Sequence, residues 1–255
     1  MHRNNIKYIG IGGTGGSGTR LVAQICKEAG VFIGDNINKS NDNLLYPKLL
    51  KLVYLNDESD KNKTIIATNE IKKFVDKLFS EYETQKEVYN YCGWKAPGTF
   101  FGLEYFHKCL PNMLYIHVVR NGFDMAFSKN QNQLKAWSSF LNIDLSSLNL
   151  PNAALQYWIK ANEIAFNNCL KYFKNAFLIV EFDQLCKHPK TEIKKLLEFI
   201  KCDTFDIEKL VSLVKSPPTI NRHKTNNYYD VFSKDEINRV NKLTHYFRGL
   251  QGLNE

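Results

Sequence analysis

Apolar residues fall into two rhythms along this chain. Short continuous runs at 6–12, at "MLYIHVVRNG" (113–122) and at "AFLIVEF" (176–182) predict buried strands. Two more strands are predicted at "GVFIG" (30–34) and at "VYNYCGWK" (88–95), the latter stopping before Pro97. Elsewhere the spacing is helical. Leu21, Val22, Ile25, Cys26 and Ala29 share one face of a helix that Gly30 ends. Ile193, Leu196, Leu197 and Ile200 share a face of a helix opened by Pro189. Helical patterns also cover 44–55, 69–86, 99–110, the stretch after 122 as far as Lys135, and 152–173. A last helix runs from the capping box "SKDE" (233–236) to Phe247. "GDNINKSNDN" (34–43) is dense in turn formers and predicts a loop.

Strands therefore alternate with helices, and the strands are apolar throughout rather than on alternate residues. That pattern predicts an α/β fold, a parallel sheet covered on both faces. No repeat or low-complexity linker divides the chain, so residues 1–255 are expected to form a single domain. Such sheets bind ligands beyond the carboxyl ends of their strands. A glycine-rich loop, Lys95 and Arg120 each stand just past a predicted strand end.

Composition narrows the class. The chain is 44% hydrophobic and 24% charged, as in ordinary globular proteins. No apolar run nears the roughly 20 residues a membrane span needs. No apolar leader is visible at the start, and the six cysteines (26, 92, 109, 169, 186, 202) form no CxxC or metal spacing. Reduced thiols and a cytoplasmic location are the expectation. The net charge of +8 suits an anionic ligand. The lysines are spread along the chain, with no arginine-rich arm or zinc finger, which disfavours nucleic acid.

The stretch "GGTGGSGTR" (12–20) resembles a damaged Walker A loop. Gly13 and Gly18 match its glycines, but Thr19 stands where lysine is needed and Arg20 where the magnesium-binding hydroxyl is needed. An ordinary Mg·NTP enzyme requires both. A dinucleotide reading also fits the glycine spacing, but no acidic residue ends the second strand as that site demands; Asp35 is the nearest. The loop can still hold an anion through inward-turned N–H groups and the N-terminus of the helix that follows. Downstream, "VVRNGFDMAFSKNQ" (118–131) puts Arg120 past a buried strand and Ser128 on the helix predicted after it. A fork and a hydroxyl of this kind suit a phosphate monoester.

"GGSGTR" followed by "RNGFDMAFS" resembles the sulfotransferases that use 3′-phosphoadenosine 5′-phosphosulfate (PAPS). "GWKAP" (93–97), "LIVEFDQLCKHP" (178–189) and "TINRHK" (219–224) are similar to further passages of that family, so the resemblance spans 6 to 224. It implies a three-layer, P-loop-NTPase-like fold with a central parallel sheet flanked by helices. It also implies metal-free transfer of a sulfuryl group to a hydroxyl of a carbohydrate or small-molecule acceptor. Gly15, Gly16, Ser17, Gly18, Thr19 and Arg20 would hold the 5′-phosphosulfate; Arg120, Ser128, Arg222 and Lys224 would hold the 3′-phosphate. Many members carry Lys or Arg where this chain has Gly16, so the charge on the leaving oxygen must come from Lys95 or Arg20, with Lys95 preferred for its rigid strand-end position. Candidates for the general base are Asp42, which is preferred, Asp35 and His107. Trp94, Tyr157 and Trp158 are candidates for stacking on adenine, against a place in the core. The competing readings are a divergent P-loop kinase and a non-catalytic nucleotide-binding protein of the same fold.

Overall fold

The computed structural model of the protein describes residues 6–46, 60–203 and 205–251. The part of the predicted helix 44–55 from residue 47 on lies outside the described residues. Five parallel strands form one sheet in the order β2-β3-β1-β4-β5. They are β1 (Tyr8–Gly13), β2 (Val31–Phe32), β3 (Tyr91–Lys95), β4 (Leu114–Val119) and β5 (Phe177–Glu181). β1 sits at the centre, and the chain order reverses there, between β3 and β4. A crevice opens at such a switch point beyond the strand ends.

Both faces of the sheet are buried, as the uninterrupted apolar runs require. Successive residues of each strand feed opposite faces. Ile9, Ile11, Ile116, Val118 and Val180 pack with α1 (Thr19–Glu28) and with Ile193, Leu196, Leu197 and Ile200 of the helix that begins at Pro189. Tyr8, Trp94, Tyr115, Phe177 and Ile179 join the other core. That core is covered by α2 (Asp60–Glu83), α3 (Leu103–Cys109) and the long helix of residues 150–168. The fold is thus α/β, with three layers and a central parallel sheet, as the sequence pattern predicts.

Several elements differ from the expected bounds. Residues Pro97–Gly102 wind as a tight 3-10 turn before α3, where one helix over 99–110 is expected. The helix expected after residue 122 is broken into α4 (Gly122–Ala126) and α5 (Asn132–Trp137). Gln131 stabilises the break: its Nε2 donates to the carbonyls of Met125 at 3.0 Å and Ser128 at 2.9 Å, satisfying groups that a continued helix would have paired. Next comes α6 (Leu150–Asn168), capped by the Asn149 side chain, with a π turn at Cys169–Phe173 ending it. After β5 follow α7 (Phe182–Lys187), α8 (Pro189–Ile200) and α9 (Ile207–Ser212). A 3-10 turn at Arg222–Thr225, then α10 (Tyr228–Val231) and α11 (Lys234–Gln251), complete the described chain. The capping box forms as expected: Ser233 N–H reaches Glu236 Oε2 at 2.9 Å, and Glu236 N–H reaches Ser233 Oγ at 3.2 Å. All six cysteines are free thiols. No helix among the described residues is long and apolar enough to cross a membrane.

Candidate functional site

The switch point carries the glycine loop. Between β1 and α1 the chain curls on a Ser17 N–H to Thr14 carbonyl bond of 3.1 Å, with Gly16 and Gly18 left-handed at φ +90° and +101°. The curl turns backbone N–H groups inward. The N–H groups of Thr19 and Arg20 open α1 and have no acceptor within their own helix. Thr14 and Ser17 are buried, and among the described residues their hydroxyls have no partner. An unpaired buried hydroxyl costs about 1–3 kcal/mol. Orphaned donors around a helix N-terminus are what an anion would satisfy. Besides the Ser17 N–H, the N–H of Gly15 is occupied within the protein: it donates to Gln133 Oε1.

Gly18 fixes the loop against the sheet. A Cβ at this position would stand 2.0 Å from the Phe182 ring, and its φ of +101° disfavours any other residue. Gly18→Ala is expected to destabilise the protein by about 2–5 kcal/mol, combining the left-handed cost with overpacking. Thermal denaturation should read this as a fall in Tm on the order of 5–15 °C. An unchanged Tm would contradict the close packing of loop on Phe182.

Lys95 and Asp42 meet at the edge of the same cleft. Lys95 is the last residue of β3, only 2% exposed, and its carbonyl accepts the Asn43 N–H at 2.7 Å. That bond draws the 35–43 loop onto the strand end. Lys95 Nζ donates to the Asp42 carboxylate and to the Ser40 carbonyl, the latter at 3.1 Å. Asp42 is further held by the Asn38 amide at 3.0 Å. Burial pushes the Lys95 ammonium below its ordinary value; the Asp42 carboxylate opposes this, and the Arg20 cation adds to it. Of the other base candidates, Asp35 is exposed and bound to Gln85, and His107 packs on Tyr172 and Phe173. Neither lines the cleft, whereas Asp42 does.

A second cationic group forms at the end of β4. Arg120 is 7% exposed; its Nη2 donates to Thr219 Oγ1 at 2.9 Å, its Cζ lies 5.2 Å from the Phe182 ring centroid, and its Nε is buried without a partner. Arg222 reaches the Thr219 carbonyl at 3.1 Å and the Phe127 carbonyl at 3.4 Å. Burial and then the Arg120 cation push Arg222 below its ordinary value, with Asp124 opposing. An arginine stays protonated regardless. Two like charges are therefore held together, and among the described residues neither forms an ion pair.

Asp124 lies inside the second motif, where its spacing alone assigns it no role. It is buried, and it accepts Asn221 N–H at 2.7 Å, His223 N–H at 2.9 Å and His223 Nδ1 at 2.6 Å. It thereby ties the 219–224 loop, with Arg222, beside Arg120. Ser128 lies in the break between α4 and α5 rather than on a helix, next to the Phe127 carbonyl that Arg222 holds, and its Oγ accepts the Asn130 N–H at 3.3 Å. Lys224 is exposed.

The cleft beside the glycine loop has a volume of about 960 Å³ and is lined by Gly16, Thr19, Arg20, Asp42, Lys95 and Tyr157, among others; Arg120 instead lines a separate cavity of about 200 Å³ with Asp124, Glu181 and Asp183. Trp158 also lines the cleft, with its Nε1 donating to the Arg120 carbonyl at 3.1 Å. Trp94 belongs to the core, stacked on Phe106. His117 is also internal: it takes the Tyr115 hydroxyl and Asn162 as partners, and burial lowers it to about 4.

A family model described as "Sulfotransferase family" matches residues 9–206. Two solved structures share the fold at 15% identity. One is the sulfotransferase domain of the olefin synthase of Synechococcus PCC 7002, with a TM-score of 0.58, covering 94% of each chain. The other is the sulfotransferase domain from the curacin biosynthetic pathway, with a TM-score of 0.53, covering 94% of this chain and 97% of that one.

Proposed function

The chain belongs to the sulfotransferase family, and from that premise we propose that it moves a sulfuryl group from PAPS to a hydroxyl of a carbohydrate or small-molecule acceptor, with residues 1–255 acting as one domain. The observation that carries the donor is the presence of two separate anion-seeking groups on one edge of the sheet. The glycine loop ends β1, and the Arg120–Arg222 pair stands beyond β4, its neighbour. A nucleotide with anions at both its 3′ and 5′ positions needs two such groups. A triphosphate, whose charges are contiguous, does not.

In this reading the loop N–H groups of Gly16, Gly18, Thr19 and Arg20, with the Ser17 and Thr19 hydroxyls, bind the 5′-phosphosulfate. Arg120 and Arg222, with Ser128 and Lys224, bind the 3′-phosphate. Trp158 lines both the cleft beside the loop and the cavity at Arg120. PAPS supplies a sulfur whose bond to a bridging phosphate oxygen can be broken in line. As the acceptor oxygen bonds to sulfur, the S–O bridge breaks and its electron pair stays on the phosphate. The acceptor's proton goes to Asp42. Lys95 serves both events. Before transfer its charge is balanced by Asp42; once Asp42 is protonated, the charge is free to balance the new phosphate oxygen. Positioning and charge placement carry the reaction.

Calorimetry tests the donor directly. Adenosine 3′,5′-bisphosphate, the nucleotide product, is expected to bind tightly without added metal, and ATP·Mg weakly. A preference for ATP·Mg would overturn the proposal in favour of a P-loop kinase. Tight binding of the bisphosphate with no transfer from PAPS to any of a panel of hydroxyl acceptors would favour a non-catalytic binder.

A further inference from the structure

Helix α5 brings a carboxamide onto the glycine loop. Gln133 Oε1 accepts both the Gly15 N–H and the Tyr157 O–H, the latter at 2.9 Å. A Cβ at Gly15 would crowd this contact, standing 3.0 Å from both Cγ and Cδ of Gln133. Burial holds the Tyr157 phenol above its ordinary value, so it remains a donor. Two donors on one oxygen fix how the carboxamide faces: Oε1 toward the loop and Tyr157, Nε2 away from them. Gln133 is half-buried and lines the cleft, and among the described residues nothing accepts from its Nε2.

We infer that Gln133 is a ligand of the transferring sulfuryl group, its Nε2 donating to a sulfuryl oxygen. The inference rests on the reading of the cleft as a PAPS site. Gly16 has no side chain to reach that group. The carboxamide enters from α5 instead, on the side of the loop held by Gly15. Its orientation is set in advance by Gly15 and Tyr157, so the donor need not reorganise as charge develops on the sulfuryl oxygens. The contact also explains why the Gly15 N–H is withdrawn from ligand binding. It anchors the side chain that does the binding.

The test compares nucleotides with and without a sulfuryl group. With water as acceptor, the water oxygen bonds to sulfur, the bridging S–O bond breaks with its pair left on phosphate, and the water protons pass to Asp42 and solvent. Sulfate and adenosine 3′,5′-bisphosphate result, so sulfate release from PAPS measures transfer without a known acceptor. Gln133→Met is expected to bind the bisphosphate within about threefold of wild type while releasing sulfate about 100-fold more slowly, as for loss of one transition-state donor. Tyr157→Phe, which removes one of the two anchors, is expected to slow release about tenfold. Unchanged release in Gln133→Met would overturn the inference. So would a loss of bisphosphate affinity as large as the loss of rate, since Gln133 would then only support the loop. If the wild-type protein binds neither the bisphosphate nor PAPS, the donor reading itself falls, whatever the variants do.

Discussion

Arg120→Ala is expected to weaken binding of adenosine 3′,5′-bisphosphate by about 10²–10³-fold, the scale of truncating one partner of a desolvated charge pair. The expectation follows from how little of Arg120 is used within the protein. One nitrogen bonds Thr219, another is buried without a partner, and the like charge of Arg222 acts on it alongside the Asp183 carboxylate. Holding two guanidiniums together in a buried place is unfavourable until an anion joins them. A 3′-phosphate would relieve that repulsion and fill the open donor at once. Arg120→Lys keeps the charge but not the fork, and should lose about tenfold in affinity. Adenosine 5′-phosphate, which has no 3′-phosphate, supplies the control: its weaker binding should be nearly the same in wild type and Arg120→Ala. If calorimetry shows Arg120→Ala losing affinity for both nucleotides equally, Arg120 does not read the 3′-phosphate. Thr219→Val, which removes only the side-chain hydroxyl that orients Arg120, should cost less than either Arg120 variant.

The strands and the sheet edge were legible because their signals are local. "YIGIGG" and "LYIHVV" are apolar on both faces, and that is enough to mark inner strands of a covered sheet. The break between α4 and α5 was not legible. Phe123, Ala126, Leu134 and Trp137 keep helical spacing through it. What opens the helix is one side chain, Gln131, donating to carbonyls that any sequence would possess. The break matters to the site, since it sets Ser128 outside the helix and turns α5 so that Gln133 meets Gly15. Asp42 and Lys95 could each be named from the sequence as groups near a strand end, but not as a pair. Their meeting depends on the Asn43-to-Lys95 backbone bond, a contact between distant segments. Asp124 was in plain view inside the second motif. Its part in holding the 219–224 loop needs three donors from that loop, and no spacing rule brings them to it.

Lys95→Met is expected to slow sulfate release from PAPS by about 10²–10³-fold, since it removes the charge that meets the leaving oxygen. The pH dependence of bisphosphate binding separates this role from packing. The 5′-phosphate of the bisphosphate carries the oxygen that Lys95 would neutralise, and above about pH 7 that phosphate is already doubly ionised. Loss of affinity at higher pH then reports deprotonation on the protein. Burial lowers Lys95 and Asp42 holds it up. Affinity should therefore decline as pH rises through a value below the ordinary lysine one. Asp42→Asn removes the group that sustains the charged form, so the same decline should begin at lower pH. In Lys95→Met the decline should vanish, leaving an affinity that is lower and flat. A wild-type decline that Asp42→Asn leaves in place, or one that survives in Lys95→Met, would assign the titration to another group. The charge on the leaving oxygen, which Gly16 cannot carry, is thus tied by one titration to one residue and to the carboxylate beside it.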